Sequence, residues 1–216
     1  MTLSQLGNIA ERIRTEWVTK NACRDRLVNL SREAIRYAAL AIRASHRDEW
    51  EEATRLLAEA RQLCAALRQE AAPYPDLLYA GYTQDALKEF AEASLTLAIA
   101  RGEALPDPES LGVDYAPYLN GLAEAAGELR RRALDHLRTG HSQESERLLV
   151  AMDEIYDVLV TMDFPDAITG NLRKNADTVR GVLERTRAEL TISYREAELM
   201  RAIEALAVQL RSAQGE

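Results

Sequence analysis

The chain has 216 residues, 47% of them apolar and 29% charged, and its 10 glycines and 6 prolines are too few for a loop-rich or disordered protein. Two cysteines exclude a disulfide framework and leave too few thiols for a zinc-finger-type site, and no apolar run approaches the roughly 18 residues that a membrane span needs. The N-terminus carries charges where a signal peptide has its apolar stretch, so we expect a cytoplasmic protein without a membrane partner.

The charge balance argues against an open basic face for nucleic acid. The chain has 27 basic and 35 acidic side chains and a net charge of −8, whereas attraction to phosphate supplies most of the affinity for nucleic acid. The lysines are Lys20, Lys88 and Lys174 alone, so arginine, which holds phosphate and carboxylate in a bidentate manner, dominates the basic side chains. A bias in genomic base composition would give the same excess of arginine without functional meaning.

Apolar side chains recur at intervals of three and four residues along almost the whole chain, which predicts helices throughout. The first helix passes through Leu27 and ends near Ser45. Prolines at 73 and 75 end the second helix, and Gly102 is a suitable end for the third. The second, third and fourth helices are predicted over about residues 49–72, 76–101 and 115–139. The fifth is predicted to begin at a cap on Ser142 and to run through Met162, and the last to begin at about residue 168 and to continue past residue 206.

Long helices with short connectors are typical of a helical bundle. We therefore expect an all-α fold, an antiparallel bundle of six to seven mostly long helices, in a single domain over residues 1–216. The segment after Thr191 continues as an amphipathic helix and is a candidate for contacts between subunits. A helical bundle by itself indicates no function.

Carboxylates stand at helical spacing in three of the predicted helices. They are Asp85, Glu89 and Glu92 in the third helix, Glu124 and Glu128 in the fourth, and Asp153 and Asp157 in the fifth. Like charges one turn apart repel each other, unless a divalent cation lies between them. Mg²⁺ prefers such oxygen ligands, and inward-facing helices can bring them together inside a bundle. Solvated acidic faces explain the same spacing, so both interpretations stay open at this point.

Four short segments carry a family resemblance in order along the chain, over roughly residues 24–190. They are RLVNLSRE at 26–33 followed by AIRASHR at 41–47, KEFAEA at 88–93, YLNGLA at 118–123 with GELRR at 127–131, and IYD at 155–157. These segments resemble "ERLVKLSRD…IFLLHR", "QEYVEA", "YLLGVADLTGELMR" and "VYDGF" of the translin family, most closely its translin-associated factor X (TRAX) branch of archaeal and bacterial type. Val158 stands where the animal proteins continue with Gly-Phe.

The resemblance implies a translin-like helical subunit that assembles into a closed homo-oligomer, often an octamer, around RNA or single-stranded DNA. For the TRAX branch it also implies a Mg²⁺-dependent endoribonuclease, with Mn²⁺ as an alternative ion. The family's acidic catalytic residues fall on Glu89, Glu92 and Asp157, which we predict to hold the metal. Glu128 is a fourth candidate ligand, directly or through water. The family-like core then covers about residues 24–190, and 191–216 form a helical extension.

Arginines must hold the RNA backbone if this function is right. The candidates are Arg130, Arg131 and Arg132, within about one helical turn of Glu128, and Arg32 and Arg36 of the first helix. A solvated face or salt bridges between subunits explain the run Arg130–Arg132 without RNA, and for any single arginine they are the favoured interpretation. A closed chamber with inward-facing arginines would reconcile the net negative charge with RNA binding, because a concave cavity focuses its own field.

Three functions therefore remain open from the sequence. The favoured one is a homo-oligomeric, Mg²⁺-dependent endoribonuclease that acts on single-stranded RNA. The second is a non-catalytic oligomer that binds RNA or single-stranded DNA, in which the carboxylates are structural. The third is a helical adaptor that binds another protein through its C-terminal helix.

Overall fold

A computed structural model describes residues 5–138, 140 and 143–213, and within them the chain forms helices and no strand. The all-α prediction is confirmed. The helices are α1 (Leu6–His46), α2 (Trp50–Ala71), α3 (Pro75–Leu78), α4 (Gly81–Arg101), α5 (Pro108–Leu111), α6 (Tyr115–Leu137), α7 (Gln143–Val160), α8 (Asp166–Thr169) and α9 (Leu172–Ala213). The predicted cap Ser142 lies outside the described residues.

Two of the predicted helices are each divided by a short break. The region predicted as one helix over 76–101 forms α3 and α4, because Ala80 between them has an extended backbone (ψ 147°). Thr83 Oγ1 donates to the carbonyl oxygen of Leu77 at 2.8 Å and so caps the end of α3. The region predicted to start at 168 forms α8 and α9, separated by Gly170 and Asn171, which both have positive φ.

The six long helices form a bundle in which α1, α4, α6 and α9 run in the same direction and α2 and α7 run in the opposite one. The shared direction of α4 and α6 requires the connection over 102–114 to return along the bundle. That connection is held against α2, since Arg68 donates to the carbonyl oxygen of Gly112 at 2.7 Å. The direction of α9 follows from its contacts with α6, where Asn175 bonds Asn120 and Thr186 bonds Arg130.

Helix α4 lies at the centre of the bundle, between α1, α2 and α6. It is rich in alanine and buried on almost every side, as expected for a core helix with little amphipathic character. Gly121 of α6 packs directly on it. A Cβ atom at Gly121 would lie 2.8 Å from both the Glu92 nitrogen and the Lys88 carbonyl oxygen. Glycine is therefore required for this approach, which brings the polar side chains of α4 and α6 together.

Both terminal helices extend beyond the bundle, and they do so at opposite ends of it. The first buried residue of α1 is Cys23, and the last buried residue of α9 is Leu190. Of the helices in the described part of the chain, none combines the length and the apolar character needed to cross a bilayer.

Candidate metal centre

Three carboxylates converge where α4 and α6 are closest. Glu89 and Glu92 lie one turn apart on α4, and Glu124 lies one turn after Gly121 on α6. One oxygen of each carboxylate lies within 4.8 Å of the others. Because Mg²⁺ binds oxygen ligands at about 2.1 Å, a small inward movement of these side chains would let all three share one ion. The predicted ligands Glu89 and Glu92 thus lie together, and Glu124 joins them.

Glu92 is the most buried member of this set, with 8% of its surface exposed. Burial, and then repulsion from Glu89, Glu124 and Glu128, raises the pKa of Glu92 to about 8. Its carboxyl group therefore keeps a proton near neutral pH in the absence of a cation. A divalent ion beside it would favour the ionised form, since an adjacent opposite charge lowers the pKa of a carboxyl group.

Lys88 supplies the positive charge within the cluster. Its Nζ atom donates to both carboxylate oxygens of Glu124, at 2.6 and 2.7 Å, and lies 3.3 Å from an oxygen of Glu89. Burial alone would lower the pKa of Lys88, but the hydrogen bonds and attraction to Glu124 and Glu89 outweigh it and raise the pKa. The ammonium group thus contacts two of the three carboxylates that a metal ion would use.

Glu128 faces the same region, but its carboxylate is bonded to α1. Its Oε2 atom lies 2.5 Å from Nε2 of His46, whose side chain is almost fully buried. The hydrogen bond from His46 lowers the pKa of Glu128 and outweighs the opposing effect of burial. Among the described residues, Nδ1 of His46 has no hydrogen-bond partner. Glu128 therefore lies beside the three carboxylates, but its own carboxylate is hydrogen-bonded to His46.

Asp157 lies apart from this cluster in the single chain. Helix α7 buries Met152, Ile155 and Leu159 against the bundle, and Asp157 falls on the exposed face between them. The residue that joins Glu89 and Glu92 instead is Glu124, which the sequence offered only as half of an acidic pair. A usable signal was Gly121, because a glycine inside a helix marks a close approach, and the side chain one turn later faces the same neighbour.

The predicted RNA-binding arginines fall into two groups. Arg130 bonds Thr186 and Glu189 of α9 at 2.8 and 2.9 Å, so it joins two helices. Arg132 is bonded to the carbonyl oxygen of Ser45 and to the carboxylate of Asp48. The other three side chains are exposed, and within the described residues they form no ion pair; they are Arg32, Arg36 and Arg131.

Two openings connect the carboxylates with solvent. A groove of about 1270 Å³ reaches Lys88 and Glu124, and its lining includes the exposed rings of Tyr79 and Tyr115. A smaller opening of about 310 Å³, between α6 and α9, reaches Glu92. The arginines Arg32, Arg36 and Arg43 share one face of α1 with His46, by their helical spacing. This basic face thus leads toward the carboxylate cluster.

Comparisons with known proteins show which solved structures have a similar fold. The structure is similar to AfC3PO of Archaeoglobus, in a complex with duplex RNA (TM-score 0.80) and in a second crystal structure (0.79). In each case 32% of residues are identical, and the match covers 87% of this chain and 97% of that one. Apo-NeC3PO of Neurospora has the same fold (TM-score 0.76, 22% identity, 89% of this chain and 99% of that one).

A sequence relative is the uncharacterized protein MJ0175 of Methanocaldococcus jannaschii, 29% identical over 185 residues, which cover 83% of this chain and 80% of that protein. No protein-family model matches the chain. The identity with AfC3PO and its near-complete coverage extend the similarity from the fold to the family. The chain belongs to the translin family and is of its TRAX-like, archaeal type.

Proposed function

We propose that this protein is a cytoplasmic, divalent-metal-dependent endoribonuclease that works as a closed homo-oligomer of octamer type. The observation that carries the proposal is the convergence of Glu89, Glu92 and Glu124, with Glu92 buried. A buried carboxyl group beside two others is costly without a counter-ion. A buried carboxyl group with a strongly raised pKa in a cleft, as Glu92 has, is typical of a functional site.

The donor set fits a hard cation such as Mg²⁺ or Mn²⁺. All three side chains offer oxygen, in a number that leaves room for water and a phosphate oxygen in an octahedral shell. When bound, the ion supplies activation of water and stabilisation of charge on the phosphate and the leaving oxygen. Glu89, Glu92 and Glu124 would hold it, Glu128 borders the shell, and we retain Asp157 as a candidate catalytic residue to be tested separately.

Lys88 has a specific part in this proposal. Its ammonium group bonds the same oxygens of Glu124 that an ion would use, so binding of the ion requires Lys88 to leave them. Lys88 also lines the groove, and a released ammonium group there can pair with a phosphate of the substrate. The lysine would thereby change partner from carboxylate to RNA as the site is loaded.

The basic face of α1 supports an RNA substrate. Arg32 and Arg36 of α1 and Arg131 of α6 are exposed and can reach phosphates, with the Arg36 guanidinium over the ring of Tyr37. Arg130 and Arg132 are instead bonded within the subunit and stabilise the bundle. We propose single-stranded RNA as the substrate, with single-stranded DNA as a further ligand. The similarity to AfC3PO, which binds duplex RNA, makes duplex RNA the substrate to compare.

The test is cleavage of labelled single-stranded and duplex RNA by the purified oligomer, with Mg²⁺, Mn²⁺ or EDTA. We expect Glu89→Gln, Glu92→Gln and Glu124→Gln each to lower the cleavage rate at least about 100-fold, because each removes a carboxylate that would hold the ion. Asp157→Ala is a separate test, and a comparable loss would identify Asp157 as catalytic although it lies outside the cluster in the single chain. Glu154→Gln is the matched control, since it removes the same charge from an exposed position of α7. All variants must keep the wild-type assembly mass. Cleavage that persists in EDTA would contradict the proposal.

A second candidate function is favoured by Lys88. Its bonds to Glu124 and Glu89 neutralise part of the cluster without any metal, as expected of a structural ion-pair network. The protein would then be a non-catalytic RNA-binding oligomer. RNA binding without cleavage in any metal, together with no heat of Mn²⁺ binding in calorimetry, would select this function. Absence of RNA binding altogether would select the protein adaptor.

A further inference from the structure

Two exposed tyrosine rings lie on the wall of the groove that reaches Lys88 and Glu124, here called the tyrosine groove. Tyr79 is 66% exposed and Tyr115 is 69% exposed, and both line this groove of about 1270 Å³. A large apolar side chain exposed singly is ordinary on a protein surface, whereas two aromatic rings on the wall of one groove suit a flat, unsaturated ligand. Neither ring has a part in holding the ion, so their exposure calls for a separate explanation.

The break between α3 and α4 places Tyr79 at the groove. Tyr79 directly follows α3, and the backbone is extended at the next residue, Ala80. The Tyr79 amide donates to the carbonyl oxygen of Pro75 at 3.0 Å. Thr83 Oγ1 donates to the carbonyl oxygen of Leu77 at 2.8 Å. These bonds hold the turn in one conformation, so the ring is presented without a cost for ordering the backbone when a ligand binds.

Tyr115 is held by its hydroxyl group. The hydroxyl donates to Oε1 of Glu109 at 2.9 Å, and a bond at the edge of the ring leaves the faces of the ring open. Tyr115 is the first residue of α6, and Glu124 of the carboxylate cluster lies nine residues later on the same helix. At 1.5 Å per residue the two are about 13 Å apart along the helix axis. A polynucleotide chain bound at the cluster can therefore extend to the ring.

The charge of the groove favours an uncharged part of a ligand over a second phosphate. Apart from Lys88 and Glu124, its lining has four carboxylates and two cationic side chains, which are Arg68 and Lys174. Arg68 already lies 3.5 Å from the carboxylate of Asp114. A phosphate in this part of the groove would meet a net negative lining and be repelled. A nucleobase carries no charge at neutral pH and has a face that stacks on aromatic side chains.

We infer that the tyrosine groove binds an unpaired nucleobase of the RNA, stacked on Tyr79 and Tyr115, beside the phosphate that lies at the carboxylate cluster. This inference rests on the proposed function, because it places the base next to the site of cleavage. Stacking is tolerant of sequence, since every base has a π-face, so the groove selects unpaired RNA and not a particular base. Bases inside a duplex are paired and stacked on one another and cannot enter. The two tyrosines thus determine the preference for single strands.

Fluorescence of 2-aminopurine, a base analogue that is quenched when it stacks, tests the binding of a base. Single-stranded RNA that carries 2-aminopurine at every third position is titrated with the purified assembly in EDTA. The wild type should quench the fluorescence. Tyr79→Ala and Tyr115→Ala should each weaken binding about 5- to 150-fold and lose part of the quenching. Tyr79→Phe and Tyr115→Phe keep the rings and should retain the wild-type affinity. Phe164→Ala is the matched control, because it removes a 58% exposed ring that does not line the groove.

Cleavage kinetics and duplex RNA complete the test. Because stacking holds the substrate and the transition state alike, the two alanine variants should raise KM for single-stranded RNA and leave kcat unchanged. Their affinity for duplex RNA should equal that of the wild type, and all variants must keep the wild-type assembly mass. Unchanged quenching in the double variant Tyr79→Ala, Tyr115→Ala, or an equal loss of affinity for duplex RNA, would overturn the inference. Quenching by a wild type that cleaves no RNA would contradict the proposed function alone.

Discussion

Replacement of Glu92 by glutamine should stabilise the metal-free protein at alkaline pH. In the folded chain the pKa of Glu92 is raised to about 8 from the ordinary value of 4.5, chiefly by burial. Between these two pH values the folded state retains a proton that the unfolded state has released. The contribution of Glu92 to the free energy of unfolding therefore falls as the pH rises from about 4.5 to about 8, and then levels off.

The size of the effect follows from the same shift. A shift of one pKa unit corresponds to 1.36 kcal/mol, so the full difference sets an upper bound of about 5 kcal/mol. Glu92 keeps 8% of its surface exposed, and water that enters at high pH reduces the penalty. We expect Glu92→Gln to be about 2–4 kcal/mol more stable than the wild type at pH 9 and nearly equal to it at pH 5. The neutral amide can donate to Glu89 or Glu124.

Urea unfolding followed by circular dichroism, at one protein concentration and in EDTA, measures this difference at pH 5, 7 and 9. Glu154→Gln is the control for the loss of one negative charge from an exposed position, and its profile should run parallel to that of the wild type. Parallel profiles for Glu92→Gln as well would refute the reasoning. Added Mn²⁺ should stabilise the wild type at pH 8 and leave Glu92→Gln unchanged, since only the wild type offers the third carboxylate.

Lys88→Gln should tighten Mn²⁺ binding about tenfold in calorimetry, because it removes an ammonium group that competes for the oxygens of Glu124; weaker binding would mean that the lysine assists the ion. Gly121→Ala should destabilise the protein by about 1–3 kcal/mol in urea, as its Cβ would lie 2.8 Å from two backbone atoms of α4. Gly127→Ala is its control: a Cβ atom there has open space, so the change should leave the free energy of unfolding the same or raise it by up to about 1 kcal/mol. Equal losses of stability in both glycine variants would contradict the packing argument. Asn120→Ala should cost about 1–3 kcal/mol, because Asn120 is buried and bonded to α8 and α9; a cost below 0.5 kcal/mol (about the size of a surface effect) would argue against that role.

Much of the fold could be predicted from local patterns in the sequence. Periodicity, Pro73 and Gly102 gave the helices and their ends to within a few residues, because these signals act within one or two turns of chain. The breaks at Ala80 and at Gly170 were missed. The break at Gly170 is accompanied by a bond from outside the segment, from Asn120 to the carbonyl oxygen of Thr169, whereas the break at Ala80 is capped within the segment by Thr83.

The candidate site could be predicted from the sequence only in part. Glu89 and Glu92 were found because both lie on one helix, where spacing fixes their shared face. The choice between Glu124 and Glu128 depends on a second helix and on its rotation against the first. That rotation is set by the contact of Gly121 with α4 and by the burial of His46 beside Glu128.

The amino-acid sequence by itself determined that the chain is helical, which faces of the helices are apolar, and which pair of carboxylates shares a turn of α4, since all of these follow from periodicity along a single helix. Only the tertiary structure decided that Glu124 and the ammonium group of Lys88 complete the cluster, that Asp157 lies outside it in the single chain, and that no residue of α9 from Thr191 to Ser212 is buried. The physical reason is that these properties depend on how α4, α6, α7 and α9 are placed around one another, and that placement results from packing between residues far apart in the chain.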